Sequence, residues 1–229
     1  FINAILRNIN RNKKNFKKLN YNFSQLPTWF KERVPLWTQN QKNKFIKTIC
    51  EEPNLHLVFK NKKDIQKITT NNIKTSDCSV AIKNPTSIRE ISGFSEGLWW
   101  VQDFSAMMPL YLNKNINNKI TADLFAAPGG KSFQLISYGA KVKAFENNRE
   151  RAKLMKENLN RLKLKCVLEI KNILEIDDKQ KFDLVILDAP CSAIGTIRRH
   201  PEILFRKKIP NFKKIISMQA KFLEKAKTL

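Results

Sequence analysis

Two short stretches carry residue types suited to chemistry. Asp123-Leu124-Phe125-Ala126-Ala127-Pro128-Gly129-Gly130-Lys131 follows an apolar, strand-like segment, turns on two glycines and runs into a helix-like segment. Asp188-Ala189-Pro190-Cys191 follows a second apolar run, Leu184 to Leu187. A glycine turn at one strand end and an Asp-Ala-Pro-Cys at a later one suit a nucleotide-type cofactor held beside a base-handling site.

Glycine has no side chain, so the Pro128-Gly129-Gly130 turn lets the backbone approach a ligand closely. Taken alone, a Gly-Gly pair is an ordinary tight turn. Glu146 ends the next strand-like segment, the spacing at which an acid accepts hydrogen bonds from ribose hydroxyls; the plain alternative is a surface glutamate. The glycines do not follow Gly-x-Gly-x-x-Gly, and Lys131-Ser132 lacks the spacing of a Walker loop, which disfavours a dinucleotide protein and a phosphate-cradling ATPase.

In the second stretch, Pro190 restrains the backbone and the residue before it, an arrangement expected to project Asp188 and Cys191 into a shared pocket. A carboxyl group can hydrogen-bond the N3/N4 edge of cytosine, and a thiolate is a strong nucleophile when nearby positive charge lowers its pKa. Arg198, Arg199 and His200 follow closely and are candidate RNA contacts. The plain alternatives are a small buried thiol for Cys191 and a solvated face for Arg198-Arg199-His200; the company of Asp188 and Pro190 favours the functional reading. Trp99, Trp100 and Phe104 are able to stack on bases, but such a cluster is more often packing. His56 has no partner motif and reads as structural.

The chain must be able to position these groups. Its 229 residues are 42% apolar, enough for one large domain or two small ones. With 43 lysines and arginines against 20 aspartates and glutamates, the formal charge is +23 and the pI near 10.0. That balance points to a polyanion, nucleic acid first, although richness in Lys, Asn and Ile also reflects compositional drift. No apolar run approaches the ~20 residues of a membrane span. Phe1 to Arg7 is too short for a secretory signal. Cys50, Cys78, Cys166 and Cys191 lie far apart with no Cys-x-x-Cys pair, so no metal site is expected, and reduced thiols in a cytoplasm are the default.

Phe1 to Ile9 has a helical apolar period and reads as the end of a larger element, followed by a basic linker from Arg11 to Asn20. Pro27-Thr28-Trp29-Phe30 opens a helix, with Thr28 as cap or Pro27 in the first turn. A strand at Leu55 to Phe59, a helix over Lys62 to Asn71 and a strand at Val80 to Ile82 suggest a small α+β subdomain, and Gly93 to Leu110 reads as a junction. Beyond it, strands at Ile120–Phe125, Val142–Phe145, Cys166–Ile170 and Phe182–Leu187 alternate with helices at Lys131–Tyr138, Arg149–Leu162 and Lys213–Lys227. The last strand has the apolar run of one buried on both faces. The alternation predicts an α/β fold with a doubly wound parallel sheet, and the expected divisions are 1–20, 21–92 and 93–229.

Together these residues resemble the bacterial 16S ribosomal RNA cytosine-5 methyltransferase B (RsmB/Sun) family of the wider NOP2/Sun group. Phe94 to Trp99 leading into Val101 to Ala106, Asp123 to Lys131, and Phe182 through Cys191 to Glu202 carry the likeness, while Phe1 to Arg7 resembles the end of a NusB-like RNA-binding domain. The resemblance implies a Rossmann-like fold, S-adenosylmethionine as cofactor, and 5-methylcytosine formation in 16S ribosomal RNA by a cytoplasmic, monomeric enzyme. It implies a cofactor site lined by Phe125, Ala126, Ala127, Pro128, Gly129, Gly130 and Lys131, with Glu146 at the ribose, Asn172 near the adenine, and Asp188 touching both cofactor and cytosine. Phe125 and Asn172 depart from the family's usual small residue and Asp. The resemblance further implies an auxiliary catalytic role for Cys191, in product release, with the principal nucleophile in a Thr-Cys-Ser motif expected beyond Leu229. On that expectation the sheet lacks its C-terminal strands and this chain alone transfers little or no methyl group. The competing expectations are a non-catalytic RNA-binding scaffold with the same fold and, less suited to the charge, a small-molecule methyltransferase.

Overall fold

The computed structural model describes residues 2–12, 14, 21–69, 71–83, 87–113, 115–177 and 181–229. Phe1 and much of the expected linker, residues 13 and 15–20, lie outside the described residues, as does Thr70 in the expected Lys62–Asn71 helix. The chain forms two compact units: Phe1–Glu52 with Ala193–Ile209, and Pro53–Ser192 with Pro210–Leu229. These units are discontinuous in sequence, whereas the sequence divisions were drawn at residues 20 and 92.

The first unit is helical. Helices α1 (Ile2–Arg11), α2 (Thr28–Lys31) and α3 (Gln39–Cys50) are joined by 3-10 turns at Phe23–Gln25, Ile194–Thr196 and Pro201–Phe205. Pro27 stands at the N-cap of α2 without a side-chain cap, and the helix ends after four residues. Thr38 and Gln41 form a reciprocal capping box at the start of α3, the Thr-x-x-Gln signature of a helix start that the sequence reading passed over. Trp29, Phe30, Trp37 and Phe45 pack ring against ring. Trp29 Nε1 donates to the buried Leu204 carbonyl at 3.1 Å, tying the 193–209 segment to this unit.

The second unit holds two sheets. Strands β1 (Leu55–Phe59), β2 (Asn72–Ser76), β3 (Ser79–Ile82) and β4 (Trp99–Val101) form an antiparallel sheet in the order β2-β3-β1-β4. The expected Lys62–Asn71 helix is a 3-10 turn over Lys62–Lys67; the Thr- and Asn-rich stretch after it leads into β2 instead. The expected junction holds β4 and helix α4 (Phe104–Leu112), capped by the Asp103 carboxylate accepting from Ser105 N–H at 3.4 Å.

Strands β5 (Ile120–Leu124), β6 (Lys141–Glu146), β7 (Val167–Ile170) and β8 (Leu184–Leu187) form a parallel sheet in the order β7-β6-β5-β8. Helix α5 (Gly130–Ser137) connects β5 to β6, α6 (Arg149–Leu162) connects β6 to β7, and α7 (Phe212–Lys227) follows β8. Alternate side chains reach two cores, as the period of a strand requires. Val142 and Ala144 meet Phe133, Leu135, Met155 and Leu159 of α5 and α6. Ala122, Leu124 and Phe145 meet Ile173, Ile176 and Phe222 on the opposite face. Helices on both faces make the sheet doubly wound. β8 is only partly buried, not enclosed on both faces as its apolar run suggested. Among the described residues it pairs with β5 alone, so its outer edge lacks a covering strand.

Strand order runs outward from β5 through β6 to β7, then returns to place β8 on the other side of β5. The reversal lies between the carboxyl ends of β5 and β8, where open α/β sheets bind ligands. The two chemically marked stretches of the sequence leave the sheet at those two ends.

Candidate functional site

β5 ends in a sharp reversal. Phe125 adopts a left-handed conformation (φ 62°), Ala127–Pro128 is cis, and Gly129 turns into α5 with φ 115°. A Cβ on Gly129 would stand 2.0 Å from the Phe133 ring, so that glycine is required by conformation and by packing within the protein. Gly130 differs: a Cβ there would meet only the Gln102 side chain, at an ordinary 3.5 Å.

Glu146, at the end of β6, is fully buried and grips this loop. Its Oε2 accepts from Ala127 N–H at 3.2 Å and its Oε1 from Asn148 N–H at 2.9 Å. Arg151 on α6 lies 3.6 Å from the same carboxylate and donates to the Ala127 carbonyl. Glu146 thus braces the turn, a duty the ribose-ligand reading did not include. Lone pairs remain on a carboxylate that accepts two hydrogen bonds.

A crevice of about 160 Å³ opens where β5 and β8 end. Its walls include Phe125 to Pro128, Gly130 and Lys131 from the loop, Gln102 from the segment after β4, and Asp188 beyond β8. Lys131 Nζ donates to Asp188 Oδ2 at 2.7 Å, joining the two marked stretches. Gln102 is fixed by accepting from Trp100 Nε1 at 2.7 Å and donating to Gln134 Oε1 at 3.0 Å.

Asp123, also in the wall, is a residue the sequence reading quoted but left out of the site. Ser132 Oγ donates to its Oδ2 at 2.6 Å. Its Oδ1 is buried and has no hydrogen-bond partner among the described residues. Burial pushes this carboxyl up to about 7, against the lowering effects of Ser132 and Lys131. The signal was available: an acid inside the apolar strand Ile120-Thr121-Ala122-Asp123-Leu124 stands at a position whose neighbours are all buried. Arg151 gave no comparable signal, because its place one turn into α6 looks like any solvated helix position.

Cys191 does not share the crevice with Asp188. It is exposed and lines a neighbouring pocket of about 310 Å³ with Pro190, Asn211, Lys214, Ile215 and Met218. The backbone turns at Pro190, whose carbonyl accepts from Gln219 of α7 at 3.1 Å, and this carries the thiol toward α7. Asn172 caps the 3-10 turn at Ile173–Glu175: its Oδ1 accepts from Leu174 N–H at 3.2 Å and its Nδ2 donates to Glu175 at 2.9 Å. It follows β7, two strands from β5, and is not in the crevice wall. Arg198, Arg199 and His200 belong to the helical unit, where His200 Nδ1 lies 3.1 Å from Glu202.

The aromatic cluster is packing: Trp99 and Trp100 are buried, and Trp100 stands edge-on to Phe133. His56 Nδ1 accepts from Phe104 N–H at 3.1 Å, a structural role. Among the described residues no group of three or more His, Cys, Asp or Glu could hold a metal ion, and no helix is long and apolar enough to cross a membrane.

A family model described as 16S rRNA methyltransferase RsmB/F matches residues 109–229, more than half of the chain. The chain is similar to the probable ribosomal RNA small subunit methyltransferase B of Coxiella burnetii, 37% identical over 134 residues that cover 55% of this chain and 31% of that protein. It is 35% identical over 161 residues to ribosomal RNA small subunit methyltransferase B of Photorhabdus laumondii, covering 65% of this chain and 38% of that protein. The matched regions span about a third of the length of these curated relatives. Among solved structures, NSun6 from Pyrococcus horikoshii with SFG superposes with a TM-score of 0.72 at 16% identity, over 87% of this chain and 79% of that one. A methyltransferase homolog protein from Pyrococcus horikoshii gives 0.70 at 24% identity, over 88% and 68%. At these identities the structures speak for the fold.

Proposed function

The chain belongs to the 16S rRNA methyltransferase RsmB/F family, and from that membership we propose that its parallel-sheet unit binds S-adenosylmethionine for methylation at carbon 5 of a cytosine in 16S ribosomal RNA. The observation that carries this reading is the 2.7 Å ion pair between Lys131 and Asp188, which brings the glycine loop and the Asp-Ala-Pro-Cys segment to one crevice. The residues there suit the cofactor: a glycine with room at its Cβ position, and a buried carboxylate oxygen awaiting a donor. When bound, S-adenosylmethionine supplies a sulfonium-activated methyl group.

The chain's own residues do the rest. Phe125 to Lys131 form the wall against which the cofactor lies, and Glu146 with Arg151 fixes the backbone of that wall. Asp188, partly exposed beside the crevice, offers its free carboxylate edge to the N3/N4 face of the base. The target base must be unstacked to reach it. In cytosine-5 chemistry a thiolate adds to carbon 6, which makes carbon 5 nucleophilic. Removal of the carbon-5 proton by a base then expels the thiolate. Cys191, in the pocket next to Asp188, is assigned to this release step rather than to the attack. The basic excess of the chain, +23 overall, supplies the sequence-independent attraction to RNA phosphates, with Arg198, Arg199 and His200 as contacts.

Calorimetry with S-adenosylmethionine and gel shifts with 16S rRNA fragments test the reading together. Micromolar cofactor binding that is lost in Lys131→Ala supports it. RNA binding without any cofactor binding would favour a scaffold instead and overturn the enzymatic proposal.

A further inference from the structure

Asp123 is the one carboxylate near the crevice that lacks a cation of its own. Lys131 is engaged with Asp188 at 2.7 Å, and Arg151 with Glu146 at 3.6 Å. The charged groups that bear on Asp123 are Lys131 from α5, Asp188 from beyond β8 and Glu146 from β6. With Asp123 ionised, three carboxylates face two cations; with it protonated, the charges balance. Burial favours the balanced, protonated state near neutral pH.

The geometry adds what charge does not. Asp123 is 1% exposed, its Oδ2 is satisfied by Ser132, and its Oδ1 is left bare beside the crevice. An unpaired buried oxygen costs roughly 1–3 kcal/mol. An asparagine would serve Ser132 equally well through its carbonyl, without a titrating group. The acid therefore makes sense if something that enters the crevice needs a negative partner.

We propose that Asp123 is a recognition residue of the crevice, its unpaired Oδ1 accepting a hydrogen bond from the cationic amino group of a ligand seated beside Lys131 and Asp188. The inference rests on reading the crevice as an adenosyl-ligand site; within such a ligand the α-ammonium of the amino-acid portion is the group of matching charge. The carboxyl proton of Asp123 leaves to solvent as the ligand arrives. The ammonium keeps its own protons and replaces the lost positive charge.

Titration calorimetry of the whole chain at pH 7 tests this with two ligands. S-adenosylhomocysteine carries the ammonium; 5′-methylthioadenosine lacks the amino-acid portion. In buffers of different ionisation enthalpy, the first should release about half a proton, as a group titrating near 7 dictates, and the second none. Asp123→Asn should weaken S-adenosylhomocysteine roughly tenfold or more, the scale of one charge-assisted hydrogen bond, and leave 5′-methylthioadenosine within about twofold. Proton release that is absent, or equal for both ligands, in the unmutated chain overturns the inference, as does equal weakening of both by the variant. If neither ligand binds the unmutated chain, the adenosyl reading falls and takes this inference with it.

Discussion

Lys131 in the first turn of α5 and Asp188 beyond β8 form an ion pair, Nζ to Oδ2 2.7 Å, across the carboxyl ends of two adjacent strands. Its side chains are 22% and 59% exposed, so its worth to stability is that of a surface pair, roughly 0.2–1 kcal/mol. A double-mutant cycle with Lys131→Met and Asp188→Asn, followed by urea unfolding, should give a coupling of no more than about 1 kcal/mol. Each single variant should still weaken S-adenosylmethionine binding roughly tenfold. A pair that matters to folding but not to binding would contradict its place in the site.

The two glycines of the loop should part company. Gly129→Ala forces an L side chain to φ 115° and into the Phe133 ring, so it should cost more than about 1 kcal/mol in urea unfolding. Gly130→Ala meets only Gln102 at 3.5 Å and should change stability by less than about 1 kcal/mol. Loss of adenosyl binding in a well-folded Gly130→Ala protein would show that this glycine keeps space for a ligand.

Glu146→Gln should be destabilising. The amide has one acceptor oxygen where the carboxylate serves two N–H groups and faces Arg151. Its NH₂ would confront either Ala127 N–H or Asn148 N–H, donor against donor. A loss of about 1–3 kcal/mol is expected, measured by urea unfolding; an unchanged midpoint would mean that the loop does not depend on this brace.

How much of this was legible in the sequence varies by element. The parallel sheet was, because Ile120–Leu124, Lys141–Glu146 and the helix Arg149–Leu162 carry unambiguous periods and buried parallel strands read as apolar runs. The short elements were not. β4 is three residues long and α4 contains Pro109, so neither shows a period. Within the site, Gly129, Lys131 and Asp188 were read from motif and position. The buried partner network of Glu146, Arg151 and Ala127 is a tertiary fact with no local trace. The course of Cys191 away from Asp188 depends on where α7 packs, which no spacing reports.

Asp123 should make stability depend on pH. Its folded carboxyl sits at about 7 against 3.8 for the free group. Between those values the folded chain holds a proton that the unfolded chain does not. Stability therefore falls as pH rises through that window and is flat above it. Asp123→Asn lacks the titration, so its advantage over the unmutated protein should grow from pH 4 to pH 8, to at most roughly 4 kcal/mol. Thermal melts at pH 5 and pH 8 measure it; a constant difference would argue against the burial of that charge.

Arg198→Gln with Arg199→Gln should lower RNA affinity uniformly across sequences. If both arginines neutralise phosphates, the slope of log K against log salt should become shallower by about 1–2. A gel-shift series at several salt concentrations reads it directly, and an unchanged slope would remove these residues from the RNA contact.

The peptide of Ala127 is held from two sides, its N–H by Glu146 and its carbonyl by Arg151. Both anchors lie on rigid elements, the end of β6 and the first turn of α6. A turn fastened at both poles has few alternative shapes to surrender when a guest arrives, so its ordering cost falls on folding rather than on association. Entry to the crevice should accordingly leave the turn's amide hydrogen exchange nearly as slow before the guest docks as after.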